Sequence, residues 1–547
     1  MRNINRPSDG SNSPLLFDDD EYTWWATQMH PSALKRLDEG FEGLFRRSLL
    51  QLMPVEQVAK HFTEDTGRPT KELYSMAGLI LIAEFRNYTV EETANAYTFD
   101  SSIQYALDIP RDRQYVCPKT IDNYRRIFRE DDLGQKVFLD VTAALVTELN
   151  IDIKKQRCDS THVLSNMAIF SRYQLIATAA KRFLNAVKKL NIEEFEAIDE
   201  ILRKRYEASD QRLYFGEVVN PSKVTKEEKA TILSQIGEDL NFLISRFSEN
   251  EDFVGLEAYE MMKQIFHEHF EIEFEHVSVE APEVKSSSSD DDGNSDQGQP
   301  TIKTRKRSVA TDGTRANTIQ NSSDPDAGYC GHKGEGYQAQ LTQTLPPKDK
   351  KGEVEGPGLI TGLIAESAGN FDGHALIPLL EQQKSNGMLP EEMTADTHYG
   401  SDENVCAAKD QFGVEIVSPV SGASQYPERK ESDKPEPKPG TQAADFKAKK
   451  ERLDKRRECQ LTDEWKKQYA PRSGIEGLNR ALDLKTGFKN LRVRGLKSVG
   501  MCLHLKAAGW NILSAAKIIA KRARKAAFLI FKLVCRQQLV TMNCGSQ

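Results

Sequence analysis

Apolar and polar residues follow a helical period in the first quarter of the chain. The segment 73–85 is almost entirely apolar, and Thr89 with Glu92 forms the Thr-x-x-Glu pattern that starts many helices. A third segment, 118–128, is amphipathic with the same period. The pattern predicts a helical domain over residues 21–148.

The helical pattern returns over residues 172–274, with a second capping pattern at Thr225 and Glu228. It predicts a helical insertion over 172–280. Alternating and short apolar segments then indicate strands, with a helix between the second and third. The strands are predicted at 337–345, 359–365, 393–396 and 414–420, and the helix at 374–383. The order predicts a mixed sheet with covering helices, an α+β or α/β fold in two pieces, 149–171 and 324–420.

Polar segments separate these pieces. Residues 1–20 are expected to be a disordered lead-in without a secretory signal. Residues 281–323 combine a Ser/Asp/Gly/Gln run with a short basic patch and are predicted to be a flexible linker, and 421–440 a flexible loop. The rest of the chain, 441–547, is predicted to be helical and basic. The longest apolar runs are too short to cross a bilayer, so no membrane contact is expected.

Charge is divided unevenly along the 547 residues. The whole chain has 74 Lys plus Arg against 82 Asp plus Glu, a net charge of −8. Residues 441–547 contain 24 basic and 8 acidic side chains, or +16, which leaves −24 for residues 1–440. Association responds to local fields, so the acidic average does not exclude a polyanionic partner. The eight cysteines include no CxxC pair, which argues against a zinc ribbon and fits reduced thiols.

Three carboxylates stand in contexts that suggest chemistry. Asp159 lies in Arg-Cys-Asp-Ser-Thr-His after a strand-like stretch, and Asp396 lies in Thr-Ala-Asp-Thr-His-Tyr-Gly where a strand gives way to a turn. Strand ends are where sheets present side chains to a site. Glu476 is predicted in the first turns of a helix that also carries Arg472 and Arg480 at intervals of four. The local pattern alone favours a surface ion-pair ladder over a metal ligand beside phosphate-binding arginines.

Other candidates are weaker. His267, His269 and His276 could bind a metal, but the alternation of Phe and Ile with acids around them favours a structural amphipathic segment. His162 and His398 follow Asp159 and Asp396 closely, and a supporting role and a purely structural one are equally compatible with the pattern. Cys158 has no base partner in the sequence and is interpreted as a small buried residue.

Four motifs in order resemble those of bacterial insertion-sequence transposases of the Asp-Asp-Glu class. They are Asp159-Ser-Thr, the pair 324–328 (Asp-Pro-Asp-Ala-Gly) and 333–337 (Lys-Gly-Glu-Gly-Tyr), Asp396-x-x-Tyr399-Gly, and Tyr469-x2-Arg472-x3-Glu476. The resemblance extends from about residue 73 to the basic C-terminal part. No single motif is specific, but the ordered set is.

The resemblance implies an RNase H-like catalytic core in which Asp159, Asp396 and Glu476 bind two Mg²⁺ ions, with Mn²⁺ as an alternative. Oxygen ligands suit such ions, and a pair of them can serve an in-line displacement at phosphorus. Tyr469 and Arg472 match the tyrosine and arginine of the family, where the arginine contacts end DNA. The sequence departs from the pattern where the family has a lysine seven residues after the glutamate, because Asp483 stands there.

The expected partner is double-stranded DNA, both transposon ends and target, with a homodimer pairing two ends. The expected location is cytoplasmic, in a prokaryotic, nucleoid-associated setting. Basic residues after the glutamate have the distribution of a phosphate-tracking surface, although a solvated helix face would look the same. Those residues are Arg480, Lys485, Lys489, Arg492, Arg494 and Lys497. The domain 21–148 could add DNA contacts or act only as a scaffold. Two alternatives to transposition stay open: an RNase H-like nuclease that never joins DNA, and a non-catalytic DNA-binding repressor.

Overall fold

The computed structural model describes residues 29–64, 66, 69–109, 114–166, 172–207, 225–274, 300–305, 318–420 and 442–544. The predicted lead-in, the loop 421–440 and most of the predicted linker 281–323 lie outside these ranges. The chain forms two compact units. Unit 1 comprises Met1–Ser165, Tyr337–Glu366 and Asn370–Gln547, and unit 2 comprises Asn166–Gly336 and Ser367–Gly369. The fold is mixed α/β, as the sequence predicts.

Helices form the N-terminal part of unit 1. The apolar helix begins after Glu72, whose carboxylate accepts hydrogen bonds from the backbone N–H of Tyr74 and Ser75, and it ends at Asn87 in the left-handed conformation. The next helix starts at the predicted capping box of Thr89 and Glu92. The helices are α1 (Pro31–Asp38), α2 (Phe41–Leu44), α3 (Val55–Ala59), α4 (Leu73–Arg86), α5 (Val90–Phe99), α6 (Ser101–Leu107), α7 (Pro118–Glu130) and α8 (Leu133–Glu148), with a π-helical turn at Phe45–Leu49 and a 3₁₀ turn at Leu50–Leu52.

The sheet of unit 1 is mixed. β1 pairs antiparallel with β5 and parallel with β7, β7 pairs parallel with β8, and β6 pairs with β5. The mostly buried residues of β1 and β5 make these the inner strands. The described strands of both units are β1 (Lys155–Val163), β2 (Phe270–Phe274), β3 (Pro300–Thr304), β4 (Gly328–Cys330), β5 (Gly334–Thr344), β6 (Ile360–Ser367), β7 (Glu392–Thr394) and β8 (Glu415–Val417). Of these, β2, β3 and β4 lie in unit 2.

Unit 2 has its own apolar core, built from helices that carry the predicted capping box of Thr225 and Glu228. Two findings differ from the sequence prediction. Phe270–Phe274, which was predicted to end a helical stretch, is a strand. Its antiparallel partner is the strand Pro300–Thr304, which was predicted to belong to the flexible linker 281–323. Its Phe-Glu-Ile-Glu-Phe alternation has the period of a strand. The helices are α9 (Arg172–Leu190), α10 (Ile192–Glu196), α11 (Glu200–Tyr206), α12 (Lys226–Phe247), α13 (Glu251–Val254) and α14 (Glu257–His269).

The last helices of unit 1 cover its sheet and close against its N-terminal helices. The longest helix packs along α8 and α4, where Gly509 lies against the ring of Phe85 with no room for a side chain. These helices are α15 (Leu376–Ser385), α16 (Asp402–Phe412), α17 (Gln442–Gln460), α18 (Asp463–Tyr469), α19 (Gly474–Thr486) and α20 (Leu496–Cys544), with 3₁₀ turns at Asp372–Ala375 and Ala470–Ser473. Among the described helices, none is both long and apolar enough to span a membrane.

Candidate active site

Asp159 and Asp396 lie at matching positions on neighbouring parallel chain segments. Arg157 of β1 pairs with Thr394 at the end of β7, and each aspartate follows its paired residue by two. The two carboxylates therefore stand at the same end of the ladder, where β7 stops and β1 continues. Their side chains are 12% and 26% exposed, so both are partly shielded from water without being sealed off.

A third acid, Asp372, lies close to Asp396. Asp372 starts the 3₁₀ turn that leads into α15, and its Oδ2 accepts a hydrogen bond of 3.0 Å from Ser160 Oγ. Nδ1 of His398 is 3.7 Å from Oδ2 of Asp372 and 3.7 Å from Oδ2 of Asp396. Ligand atoms of these three residues all lie within 4.8 Å of one another, the one such group among the described residues. The sequence analysis missed Asp372, whose signal is its position between a strand and a helix.

Buried polar side chains fix the position of Asp372. Gln340 of β5 donates from Nε2 to Asp372 Oδ1 across 3.1 Å, and the hydroxyl of Tyr399 donates to Gln340 Oε1. Burial raises the pKa of Tyr399 well above its ordinary value, with further contributions from Cys158 and the nearby carboxylates. Tyr399 therefore stays protonated and donating. Burial also raises the pKa of the Cys158 thiol, in agreement with its interpretation as a small buried residue.

Arg157 holds the start of the helix that carries Glu476. Its guanidinium donates from Nε and Nη2 to Gln343 on β5 and from Nη1 to the carbonyl of Pro471, at 2.9, 2.6 and 2.9 Å. A Cβ added to Gly474, the first residue of α19, would lie 2.0 Å from Arg157 Nη1, so only glycine permits this approach. The 3₁₀ turn and α19 are therefore attached directly to β1.

The arginine before this helix joins two of the predicted catalytic acids. Arg472 donates from Nη2 to Asp159 Oδ1 at 3.1 Å and from Nη1 to Glu476 Oε1 at 3.3 Å. Burial alone would lower the pKa of Arg472, but Asp159, Tyr469, Asp396 and Glu476 together outweigh burial and raise it. All three predicted catalytic acids therefore act electrostatically on one guanidinium.

Glu476 lies apart from the group of Asp372, Asp396 and His398. Its side chain is 70% exposed, and its described contact is the ion pair with Arg472. The prediction that Arg472, Glu476 and Arg480 share one helix was wrong in part. Arg472 belongs to the 3₁₀ turn Ala470–Ser473, in whose first positions Pro471 lies, and the α-helix begins only at Gly474. The four-residue interval still brings Arg472 to Glu476.

The buried face of α19 contributes an asparagine that sequence analysis did not single out. Asn479 is 7% exposed and lies among apolar residues of the helix that face the core. Its Nδ2 donates to Asp159 Oδ2 at 3.4 Å, and its Oδ1 is buried and accepts no hydrogen bond from any described residue. A buried amide oxygen without a donor costs about 1–3 kcal/mol.

A pair of aromatic rings precedes Arg472 in the chain. Trp465 and Tyr469 stack on α18 with ring centroids 4.8 Å apart and an interplanar angle of 15°. No residue of α18 is buried. Partial burial raises the pKa of Tyr469, Arg472 lowers it, and Asp396 and Asp159 raise it further. The stacked pair is therefore a partly exposed surface within electrostatic range of the acids.

The predicted DNA-contacting basic residues have different surroundings. Arg480, Lys485, Arg494 and Lys497 are exposed, Lys489 is half-buried, and Arg492 is 3.5 Å from Glu92. Asp483, which stands where the family has a lysine, accepts a hydrogen bond of 2.9 Å from the backbone N–H of Lys489. Asp483 therefore shapes the loop after α19.

Two of the three histidines considered as metal ligands in unit 2, His267 and His269, are among the described residues. His269 is buried, and its Nδ1 accepts a hydrogen bond of 2.9 Å from Arg172 Nε. Burial, with a smaller contribution from Arg172, lowers the pKa of His269 to about 3. This residue is a neutral structural acceptor, as the sequence favours. His276 lies outside the described residues.

The donor set at the sheet edge fits a divalent cation. Asp396 and Asp372 offer carboxylate oxygens, the ligands that Mg²⁺ and Mn²⁺ prefer, and His398 adds an imidazole nitrogen. Asp159 lies outside this group, on the neighbouring strand β1. Neighbouring carboxylates repel one another unless a cation compensates their charge. In this arrangement Arg472 supplies part of that compensation.

The sequence comparisons give one match. Residues 434–515 match the family model described as a transposase DDE domain. The matched segment includes Tyr469, Arg472, Glu476 and Asn479. No curated protein and no solved structure matches the chain.

Proposed function

We propose that this chain is a DDE-type transposase, as the family match over residues 434–515 supports, and that it cuts DNA at transposon ends and joins the freed ends to target DNA. In this proposal the mixed sheet around β1 is an RNase H-like core, and Asp159, Asp396 and Glu476 are its catalytic acids. The observation that carries the proposal is Arg472, which contacts Asp159 and Glu476 and lies in the field of Asp396.

Asp159, Asp396 and Glu476 would hold two divalent cations, Mg²⁺ or Mn²⁺, with Asp372 and His398 beside them. When bound, such ions increase the nucleophilicity of an attacking oxygen and stabilise the leaving oxygen at phosphorus. The chain itself keeps the acids in place. Gln340 and Ser160 hold Asp372, and Arg472 holds Asp159.

The reaction in this proposal has two displacements at phosphorus. Water attacks the phosphodiester at the transposon end and releases a 3′-hydroxyl, and that hydroxyl then attacks a phosphodiester of the target and releases a new 3′-hydroxyl there. No covalent protein intermediate is needed. The role of the chain is to position the phosphate, to which the fork of Arg472 is suited.

Duplex DNA would lie along the basic residues of α19, of the loop after it and of the start of α20. Arg480, Lys485, Lys489, Arg492, Arg494 and Lys497 follow Glu476 directly, and Tyr469 precedes it. Such residues neutralise phosphates without reading sequence. A homodimer that brings two ends together completes the proposal.

The test is cleavage of a plasmid that carries the DNA flanking this gene. Wild-type protein with Mg²⁺ is expected to nick the plasmid at the ends of the element, and Asp159→Asn, Asp396→Asn and Glu476→Gln proteins are expected to lose nicking by at least about 10³-fold. Chelation of the metal should abolish nicking by wild type. Substituted proteins that cut as fast as wild type would refute the assignment of the acids.

Adding a target plasmid separates transposition from its alternatives. Joined donor–target products support a transposase, whereas nicked products without joining would indicate an RNase H-like nuclease. Binding of the flanking DNA with neither nicking nor joining would indicate a repressor.

A further inference from the structure

Asn479 is a polar residue on the buried, mostly apolar face of α19. It lies on the buried stripe of α19 with Ile475, Leu478 and Leu482, which are apolar. Leucine has the same number of side-chain heavy atoms with the same branching and would leave no polar atom buried. The amide instead leaves Oδ1 without a donor among the described residues, and buried polar groups of that kind call for an explanation.

The amide nitrogen of Asn479 supplies this explanation. Nδ2 of Asn479 donates to Oδ2 of Asp159, and Nη2 of Arg472 donates to Oδ1 of the same carboxylate. The two oxygens of Asp159 are thus each held by a donor from the segment that also carries Glu476. Donors on both oxygens fix the plane of a carboxylate more firmly than a donor on one oxygen does.

We infer that Asn479 is a positioning residue for cation binding: it orients Asp159 and ties the strand that carries this aspartate to the helix that carries Glu476. This inference rests on the proposed function for the role of Asp159. Residues that orient metal ligands commonly change metal affinity or activity by about 10–100-fold when they are substituted. Asn479 is expected to act in that range, although it touches neither the cation nor DNA.

The experiment compares Asn479→Leu with wild type in three measurements: Mn²⁺ binding to the protein without DNA, thermal unfolding, and nicking at a series of Mg²⁺ concentrations. We expect Mn²⁺ affinity to fall about 10-fold or more and half-saturating Mg²⁺ to rise similarly. The unfolding temperature should stay the same or rise, because the substitution removes a buried amide. Leu484→Asn, which exchanges the same residue types on the exposed part of α19, is the matched control and should change none of the three.

Each result decides the inference. Unchanged Mn²⁺ binding by Asn479→Leu overturns it, and so does a loss of metal binding that only follows a lower unfolding temperature. Asn479→Asp gives an independent check, because it keeps the size, removes the donor and adds a like charge beside Asp159; Mn²⁺ affinity equal to wild type would also overturn it. Normal Mn²⁺ binding by a wild-type protein that never cuts DNA would refute the proposed function alone.

Discussion

The guanidinium of Arg472 donates a hydrogen bond of 3.1 Å to Asp159, 313 residues earlier in the chain. The same group reaches Glu476, so one planar fork joins strand β1 to helix α19. A lysine has one charged centre and cannot match both contacts with the same geometry. The pair therefore gives a specific expectation for a substitution that keeps the charge.

Arg472→Lys is expected to slow nicking by about 10–100-fold while duplex DNA binding changes less than about threefold. The measurement is single-turnover nicking together with a filter-binding titration at one salt concentration. Arg480→Lys is the control, since Arg480 is exposed and the described residues give it no acidic partner. Equal nicking rates for Arg472→Lys and wild type would show that charge alone is enough at this position.

Asp372 is expected to support the cation site even though the ordered motifs do not include it. Asp372→Asn keeps the shape but weakens a ligand group beside Asp396 and His398, so half-saturating Mg²⁺ for nicking should rise about 10-fold. Asp410→Asn, on the exposed face of α16, is the control. A Mg²⁺ dependence identical to wild type would remove Asp372 from the site.

The basic residues of the C-terminal part should differ in their contribution to DNA binding. Arg480 and Lys485 are exposed, whereas Lys521 and Lys525 bind Val354 and Asp349 within unit 1. Each phosphate contact adds about 0.9 to the slope of log affinity against log salt. The double variant Arg480→Ala/Lys485→Ala should therefore lower that slope by about 2.

The control for the salt measurement is the double variant Lys521→Ala/Lys525→Ala. It removes the same number of positive charges from residues that already have partners, and its slope should match that of wild type. If the two double variants change the slope equally, the DNA lies along the whole basic part instead of its first segment.

Local signals in the sequence were enough for some elements and not for others. The capping box of Thr89 and Glu92 and the turn after β7 at Asp396 were predicted because each depends on a few neighbouring residues. The prediction that Asp159 follows a strand was wrong, because β1 continues to Val163 and Asp159 lies in its middle. Asp372 and Asn479 were not predicted, because their meaning comes from contacts with Ser160 and Asp159 that are 212 and 320 residues away. No period or motif carries such information.

The boundary errors have a similar cause. The segment Phe270–Phe274 follows α14 without a break, and its strand conformation depends on pairing with Pro300–Thr304. Tertiary pairing overrode the helical continuation that the preceding residues suggested. The 3₁₀ turn at Ala470–Ser473 is likewise held by Arg157, which no local pattern connects to it.

Lys506 is expected to be essential for the stability of unit 1. It is 1% exposed, and its ammonium donates to the carbonyls of Glu84 and Thr486 and to Asn87 Oδ1 at 2.9, 2.6 and 3.0 Å. It therefore joins the ends of α4 and α19. Lys506→Met leaves these acceptors without their donor and should lower the free energy of unfolding by about 2–4 kcal/mol.

Denaturant unfolding measures this effect, with Lys517→Met as the control. Lys517 lies on the same helix α20 but is exposed, with its ammonium 5.7 Å from the ring centroid of Trp510, and its substitution should change the free energy of unfolding by less than about 1 kcal/mol. Equal stability of the Lys506→Met protein and wild type would mean that apolar packing of the methionine fully compensates the lost hydrogen bonds.

Unit 2 should become less stable in mild acid because of His269. Its pKa is about 3 in the folded protein, below the ordinary 6.5, so the unfolded chain binds more protons between these values. The stabilising effect of the neutral ring is complete above about pH 6.5 and declines as the pH falls towards 3. At pH 5 the loss is about 2 kcal/mol.

Hydrogen exchange of the amides of α14 at pH 7 and pH 5 measures this loss of stability, after correction for intrinsic exchange rates. His269→Asn keeps an acceptor for Arg172 but does not titrate, so its protection should change less between the two pH values; an equal change in both proteins would assign the acid sensitivity to other groups.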